Sequence, residues 1–312
     1  MKKFIIIPLI ILTTFISTYG IDNYNEVKLK VKGGYIYGNI LEPRKNAKDT
    51  IVIITAGSGP TDRDGNSPFL EGRNDSLKYL AYQLKDKGIA SFRYDQRSSG
   101  KTYKYLTDTN IKFDYLVDDL VECIKYVKEK KNFKTIYLIG HSQGAMISVL
   151  AAQQEKVDGV VTIAGAARPI DEILVEQFER QDTGLANVLK EELKKVKERK
   201  ESTAEDKEIK RLLSGENGEF VRSWMKYDPA VEIKKLDTSL YFIYGTSDLQ
   251  VKPIEINYFG DIIKNDNFKI LEDMNHVLKV SPEDEKENFK RYSFPNYPLH
   301  PDLVGSIEGF IQ

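Results

Sequence analysis

A chain of 312 residues, 41% of them hydrophobic, is long enough to bury the core of one large α/β domain or two smaller ones. Lys and Arg number 46 against 47 Asp and Glu, a formal net charge of -1, so nucleic acid binding has no support. Cys123 is the single cysteine, which excludes an internal disulfide and a cysteine-built metal site.

The first twenty residues differ in kind from the rest. Lys2 and Lys3 precede an apolar stretch over 4–16, broken by Pro8, Thr13 and Thr14, and Ser17-Thr18-Tyr19-Gly20 follows. Basic, then apolar, then small and polar is the order of a secretory signal peptide, so 1–20 is expected to be a leader cleaved near Gly20-Ile21 from an exported protein. The apolar stretch is shorter than the roughly 20 residues of a spanning helix, which favours cleavage over an anchor. No other segment is apolar enough to cross a bilayer, so no membrane contact is expected after cleavage.

Residues 26–31 and 35–41 alternate about Gly33-Gly34, the pattern of an antiparallel hairpin. Beyond it, 50–55, 89–94, 135–139, 159–163, 240–244 and 268–271 are short β-branched or aromatic runs, most of them followed by helical patterns such as 74–87, 114–130 and 145–154. Short, nearly all-apolar strands alternating with helices predict a mostly parallel sheet covered on both faces. Cys123 falls on the apolar face of 114–130 with Leu116, Leu120, Ile124 and Val127, which marks it as a buried small hydrophobe.

Residues 168–229 break this grammar. A dense Lys/Glu block over 190–210 accompanies Leu185, Val188, Leu189, Leu193 and Val196 at helical spacing, and Phe220, Val221, Trp224 and Met225 cluster behind them. The charge run reads as a solvated helix face. The apolar stripe must rest on something, and the rim of the sheet is the available surface. The expected layout is therefore a core over 21–167 and 230–312 with a helical cap at 168–229.

The most informative segment is Gly140-His141-Ser142-Gln143-Gly144, placed between the strand 135–139 and the helix 145–154. A G-x-S-x-G turn at that junction lifts a serine onto a strained corner, with glycines leaving room for the chain to double back. The hydroxyl then sits at the positive end of the following helix.

A serine needs a base within reach and an acid behind the base. His141 adjoins Ser142 on a tight turn and points elsewhere, so it is expected to support the elbow, which leaves His276 and His300. Asp248 follows the strand 240–244 and His276 follows the next strand, 268–271. Carboxyl ends of neighbouring parallel strands share one sheet edge, so Ser142, Asp248 and His276 are expected to converge in the chain order Ser, Asp, His. His300 lies between Pro298 and Pro301 before the helical pattern 302–311, where a helix-start contact is the simpler reading.

An oxyanion would be met by the backbone amide of Gln143 and by one from the loop Ala56-Gly57-Ser58-Gly59-Pro60. The amide of Ser58 is favoured there, with Gly57 and Gly59 left open. Ser98-Ser99-Gly100-Lys101-Thr102 imitates the end of a phosphate-binding loop, but Asp95 stands where its first glycine is required, and a carboxylate would repel phosphate. Asp95 and Arg97 are instead expected to form a buried turn pair beside the elbow.

Together these residues resemble the α/β-hydrolase superfamily, and within it exported bacterial esterases similar to the serine aminopeptidase group. The resemblance rests on the segments 57–66, 93–97, 140–144, 245–251 and 275–276. It implies an eight-stranded sheet with a helical cap, a Ser142/Asp248/His276 triad, and hydrolysis of small acyl esters through an acyl-enzyme without metal or cofactor. Ser98 departs from the family's D-x-R-G-x-G pattern, which has glycine there, and bears only on loop geometry. A heavily charged cap favours a small ester over a lipid, in a pocket that Trp224 could line, although packing within the cap is an equal reading for that residue. A peptidase remains the alternative, since Asp62, Asp64 and Glu71 could anchor an amine, although solvated turn residues are the simpler reading. A non-catalytic binding scaffold is a third reading, opposed by the intact Ser, Asp and His.

Overall fold

Two faces of one sheet are written into the β-strand residues of this chain. In the computed structural model, which describes residues 24–108, 110–130, 133–264, 266–282 and 284–311, Ile51 and Ile53 of β3 (Thr50–Thr55) point into one core and Val52 and Ile54 into another. Side chains alternate along a strand, so a run of consecutive apolar residues must be covered on both sides. The first core is closed by α2 (Phe113–Lys130) and α3 (Gln143–Gln154), through residues such as Leu120, Ile124, Ile147 and Leu150. The second is closed by α1 (Ser76–Asp86) and α10 (Pro301–Ile311), through Leu80, Leu84, Leu303 and Ile307. Each fully buried Ile or Leu contributes about 1.5–3 kcal/mol, so the two layers carry most of the stability. The leader expected at 1–20 lies outside the described residues.

The sheet has eight strands in the order β1-β2-β4-β3-β5-β6-β7-β8. β1 (Tyr24–Val31) and β2 (Gly34–Leu41) form the expected hairpin, and β2 also runs antiparallel to β4 (Ala90–Tyr94). All remaining pairs are parallel, through β5 (Thr135–His141), β6 (Gly159–Ile163), β7 (Ser239–Gly245) and β8 (Phe268–Leu271). The register pairs Thr55 with Gly140, His141 with Ile163 and Gly245 with Leu271, and β4 runs parallel to β3, so the carboxyl ends of six parallel strands open onto one edge. Cys123 is fully buried in α2.

Between β6 and β7 the chain leaves the sheet through α4 (Ile170–Glu179), α5 (Thr183–Lys197), α6 (Lys207–Leu213) and α7 (Gly215–Trp224), and returns through α8 (Pro229–Ile233). Asp182, Asp206 and Asp228 start α5, α6 and α8 by accepting backbone N–H groups that no preceding turn can satisfy. This insertion has a core of its own, with Ile173, Leu189, Leu193, Ile209, Leu213 and Val221 packed together. Trp224 stacks on Phe113 at the start of α2, ring centres 5.1 Å apart and planes 6° from parallel, and the Ser223 hydroxyl accepts the Phe113 amide at 2.7 Å. The indole is thus engaged in seating the cap on α2, the packing role that is one of the two readings for it. At the other end Arg168 donates to the buried carboxylate of Glu255, which also accepts the Ala167 amide at 2.9 Å. Among the described residues no helix is long and apolar enough to cross a membrane.

Candidate active site

Ser142 occupies the turn between β5 and α3 with φ 54° and ψ −120°, a conformation that costs a side-chain-bearing residue about 1–3 kcal/mol unless its surroundings impose it. They do. The Ser142 amide donates to the Ile163 carbonyl at 2.8 Å, locking the corner to β6. A Cβ at Gly140 would lie 2.2 Å from the Gly144 carbonyl oxygen, and one at Gly144 would lie 2.4 Å from that of Thr55. Only glycine fits at either position, which is the physical content of the G-x-S-x-G spacing.

Asp248 and His276 meet beside this corner. Asp248 leaves the end of β7 and is 2% exposed; its Oδ1 accepts the amides of Gln250 and Val251 at 2.7 and 2.9 Å. Its Oδ2 lies 2.8 Å from Nδ1 of His276, in the loop after β8. With two backbone amides donating to its Oδ1, the Asp248 carboxylate accepts through Oδ2 from Nδ1–H of His276, which leaves Nε2 as the lone-pair nitrogen of that ring. The two loops are zipped together below the pair: the Ser247 amide donates to the Met274 carbonyl at 3.1 Å, and a Cβ at Gly245 would lie 2.0 Å from that same oxygen.

His141 supports this arrangement from beneath. Its Nε2 lies 2.7 Å from the His276 carbonyl oxygen and the two ring centres are 4.8 Å apart. Burial, together with the neighbouring His276, pushes the His141 imidazole down to about 3, so it stays neutral. His300 is elsewhere: its Nδ1 accepts the Asp302 amide at 3.2 Å at the start of α10, and its Nε2 bonds the Glu272 carbonyl at 2.9 Å.

The loop after β3 runs against the elbow. An ideal Cβ on Gly57 would lie 3.1 Å from Cβ of Ser142 and 3.3 Å from Nδ1 of His141, so the backbone at Gly57 runs beside the elbow with little room for a side chain. Ser58 follows it and is exposed, and its carbonyl accepts the Thr61 hydroxyl at 2.9 Å. Gln143 opens α3, where an amide has no acceptor within the helix, and it is buried. Amide hydrogens at a helix start and on a glycine-containing loop, both beside one serine, can meet a negative oxygen.

The acidic residues of 57–66 hold the turn together, closer to the turn-residue reading than to an amine anchor, although they are only partly solvated. Asp62 Oδ1 accepts the amides of Asp64 and Asn66, each at 2.9 Å, and Asp64 pairs with the buried Arg93. Arg63 forks onto Asp95 with Nε to Oδ1 at 2.9 Å and the second nitrogen to Oδ2 at 2.6 Å. The expected pairing of Asp95 with Arg97 does not form: Arg97 instead forks onto Asp119 of α2, both contacts at 2.7 Å and both side chains fully buried. Gly100 is required by the same clamp, since a Cβ there would lie 2.3 Å from the Asp95 carboxylate. Glu71 is exposed. A surface cavity of about 530 Å³ flanks this loop, lined by residues including Pro60, Leu70, Ser99 and Tyr103. Among the described residues no group of His, Cys, Asp and Glu is arranged to hold a metal ion.

Sequence comparison finds relatives among esterases and lipases. The chain is 32% identical to esterase EstD of Thermotoga maritima over 262 residues, covering 82% of this chain and 61% of EstD. It is 28% identical to the secreted mono- and diacylglycerol lipase MDL4 of Malassezia globosa over 156 residues, 46% of this chain and 51% of the lipase. The chain thus spans less than two thirds of the length of the relatives it matches. Among solved structures, the Pyrococcus furiosus esterase PF2001 superposes with a TM-score of 0.59 at 15% identity, covering 93% of this chain and 92% of that one. Est1E of Butyrivibrio proteoclasticus, solved with ferulic acid bound, gives 0.57 at 15% identity, covering 91% and 99%. The family model for the alpha/beta hydrolase fold matches residues 50–235, more than half of the chain, and the chain belongs to the α/β-hydrolase fold family.

Proposed function

We propose that this protein is a serine hydrolase of small acyl esters, with Ser142 as nucleophile, His276 as base and Asp248 as the acid that orients it. The observation that carries the reading is the 2.8 Å contact between His276 Nδ1 and Asp248 Oδ2 on the sheet edge from which the strained Ser142 emerges. His276 Nε2 takes the Ser142 proton as Oγ attacks the ester carbonyl carbon, and the tetrahedral oxyanion is met by the amide of Gln143 and one from Gly57-Ser58-Gly59, that of Ser58 being favoured. Collapse expels the alcohol, which takes the proton from His276 and leaves an acyl-enzyme on Ser142. Water, deprotonated by the same imidazole, then releases the acid. The chemistry needs no cofactor.

Kinship with an esterase supports an ester substrate. Asp64 is paired with Arg93 and Oδ1 of Asp62 is taken by two backbone amides, which counts against these two residues as anchors for a peptide amine. We further propose export: the order of charge and hydrophobicity over 1–20 supports it, and mass spectrometry of the mature protein from its native host tests it, an intact Met1 or Lys2 terminus overturning it. The hydrolase reading is tested with a fluorophosphonate probe and p-nitrophenyl esters of increasing chain length beside aminoacyl-nitroanilides. Wild-type protein is expected to label and to favour short esters, and Ser142→Ala to do neither while remaining folded. A labelled, active Ser142→Ala would overturn the nucleophile, and efficient nitroanilide cleavage with poor ester turnover would move the assignment to a peptidase.

A further inference from the structure

The short helix α9 (Glu285–Lys290) carries one fully buried polar side chain, Asn288, at 0% exposure. Its Nδ2 donates to the Ser247 carbonyl at 2.7 Å and lies 3.4 Å from that of Pro282, and its Oδ1 accepts Nδ2 of Asn275 at 3.0 Å. The orientation of this amide is fixed by its neighbours, since carbonyl oxygens only accept. Ser247 immediately precedes Asp248, and Asn275 immediately precedes His276. One amide group therefore ties the residue before the acid to the residue before the base. Asn275 is itself fixed, its Oδ1 accepting the Lys279 amide at 3.0 Å.

The chemistry of the position is demanding. A donor must face Ser247 while an acceptor, one atom away on the same rigid plane, faces Asn275. Aspartate would turn a carboxylate oxygen on the Ser247 carbonyl, and an alkyl side chain would leave a buried carbonyl and a buried amide without partners. The zipper pins the Ser247 amide on Met274 and the Ser247 hydroxyl donates to the Ser281 carbonyl at 2.8 Å, so without Asn288 the loops would still meet, but the side-chain bridge from Ser247 to Asn275 that sets their approach would be gone. A displacement near 1 Å in a reacting group costs about 10²-fold in rate.

We propose that Asn288 is a positioning residue that sets the separation and angle of Asp248 and His276. This rests on the serine hydrolase reading above, and the experiment separates the two. Asn288→Ala is compared with wild type for kcat and KM on a short p-nitrophenyl ester, for the rate of fluorophosphonate labelling, and within a double-variant cycle with His276→Ala. The variant is expected to fold, to lose about 10²-fold in kcat with KM within about threefold, and to label correspondingly slowly. In the His276→Ala background the same substitution is expected to cost less than about threefold, because a positioning residue has nothing left to position. A role confined to stability predicts the opposite: kcat per folded molecule within twofold of wild type, or losses that multiply in the double variant. Either result overturns the proposal. Should Asn288→Ala not fold, Asn275→Ala removes only the base-loop end of the bridge and is read by the same criteria. Wild-type protein that neither labels nor turns over ester would overturn the hydrolase reading itself, whereas active wild type with fully active Asn288→Ala would overturn only the bridge.

Discussion

The His141 ring packs against that of His276, centres 4.8 Å apart and planes tilted by 50°, and donates Nε2–H to its backbone carbonyl at 2.7 Å. The carbonyl can only accept, so His141 holds a single tautomer with Nδ1 bare, and that nitrogen faces Gly57. One buried imidazole thus touches the base loop, the elbow and the loop after β3.

Acid should therefore destabilise the protein through His141. Burial and His276 hold its folded value at about 3, while an unfolded histidine titrates near 6.5, so between those values the unfolded chain binds the extra proton. Stability falls as pH drops through that window, by about 2 kcal/mol at pH 5 from this group. Asp119 runs the other way: burial raises its carboxyl to about 6 against the pull of Arg97, so its ionisation costs stability as pH rises toward 6. Comparing urea midpoints of wild type and His141→Gln at pH 7.5 and 5 isolates the histidine. The variant should lose less between the two pH values, and equal losses would rule His141 out as the source.

Arg97 and Asp119 are both fully buried, and removing one partner strands the other. Asp119→Asn should cost about 3–5 kcal/mol, with a matching fall in Tm, because the guanidinium keeps its charge without its counter-ion. Replacing both residues with apolar side chains of similar volume should recover most of that loss. Calorimetry of the single and double variants decides it, and a double variant no more stable than Asp119→Asn would contradict the account.

The strands, their parallel order and the corner at Ser142 were legible because their signals are local: apolar runs, helix starts and glycines at fixed spacing. Asp248 and His276 were legible because each follows the end of a strand. The clamps were not. Arg63 finds Asp95 32 residues away, Arg97 finds Asp119 at 22 and Arg168 finds Glu255 at 87. Those distances close only once β4 is inserted between β2 and β3 and the cap has folded back. Asp95 and Arg97, two apart on one loop, looked like a pair, but each side chain leaves the turn toward a different layer of the fold. Asn288 gave no signal, because a polar residue in a short charged helix is ordinarily solvated.

Gly57 and Gly59 separate contact from backbone strain in the loop after β3. A methyl group at Gly57 would meet Ser142 Cβ at 3.1 Å without any forbidden φ, whereas Gly59 has φ 81° and open space around it. Gly57→Ala should lower kcat by about 10–10²-fold with little change in stability, since the loop must move off the nucleophile by a few tenths of an ångström. Gly59→Ala should cost about 1 kcal/mol of stability and leave kcat within a few-fold. Steady-state kinetics with parallel thermal melts distinguishes these patterns, and the reverse assignment of effects would show that the contact at Gly57 is inconsequential.

The sequence leaves two histidines, His276 and His300, in competition for the role of base. His276 has its Nδ1 committed to Asp248 and its Nε2 left as the lone-pair nitrogen, whereas both nitrogens of His300 are spoken for, one by the Asp302 amide and the other by the Glu272 carbonyl. An imidazole bonded at both nitrogens has no lone pair left for a serine proton. His276→Ala should therefore lower kcat by about 10⁴-fold, with little further loss when combined with Ser142→Ala, because members of a triad act as a unit. His300→Ala should remove the cap at the start of α10 and cost about 1–2 kcal/mol of stability, with kcat within tenfold of wild type. Stopped-flow measurement of p-nitrophenol release, normalised to folded protein, reads both variants. An inactive His300→Ala beside an active His276→Ala would transfer the base to the other loop and remove the role assigned to Asp248 with it.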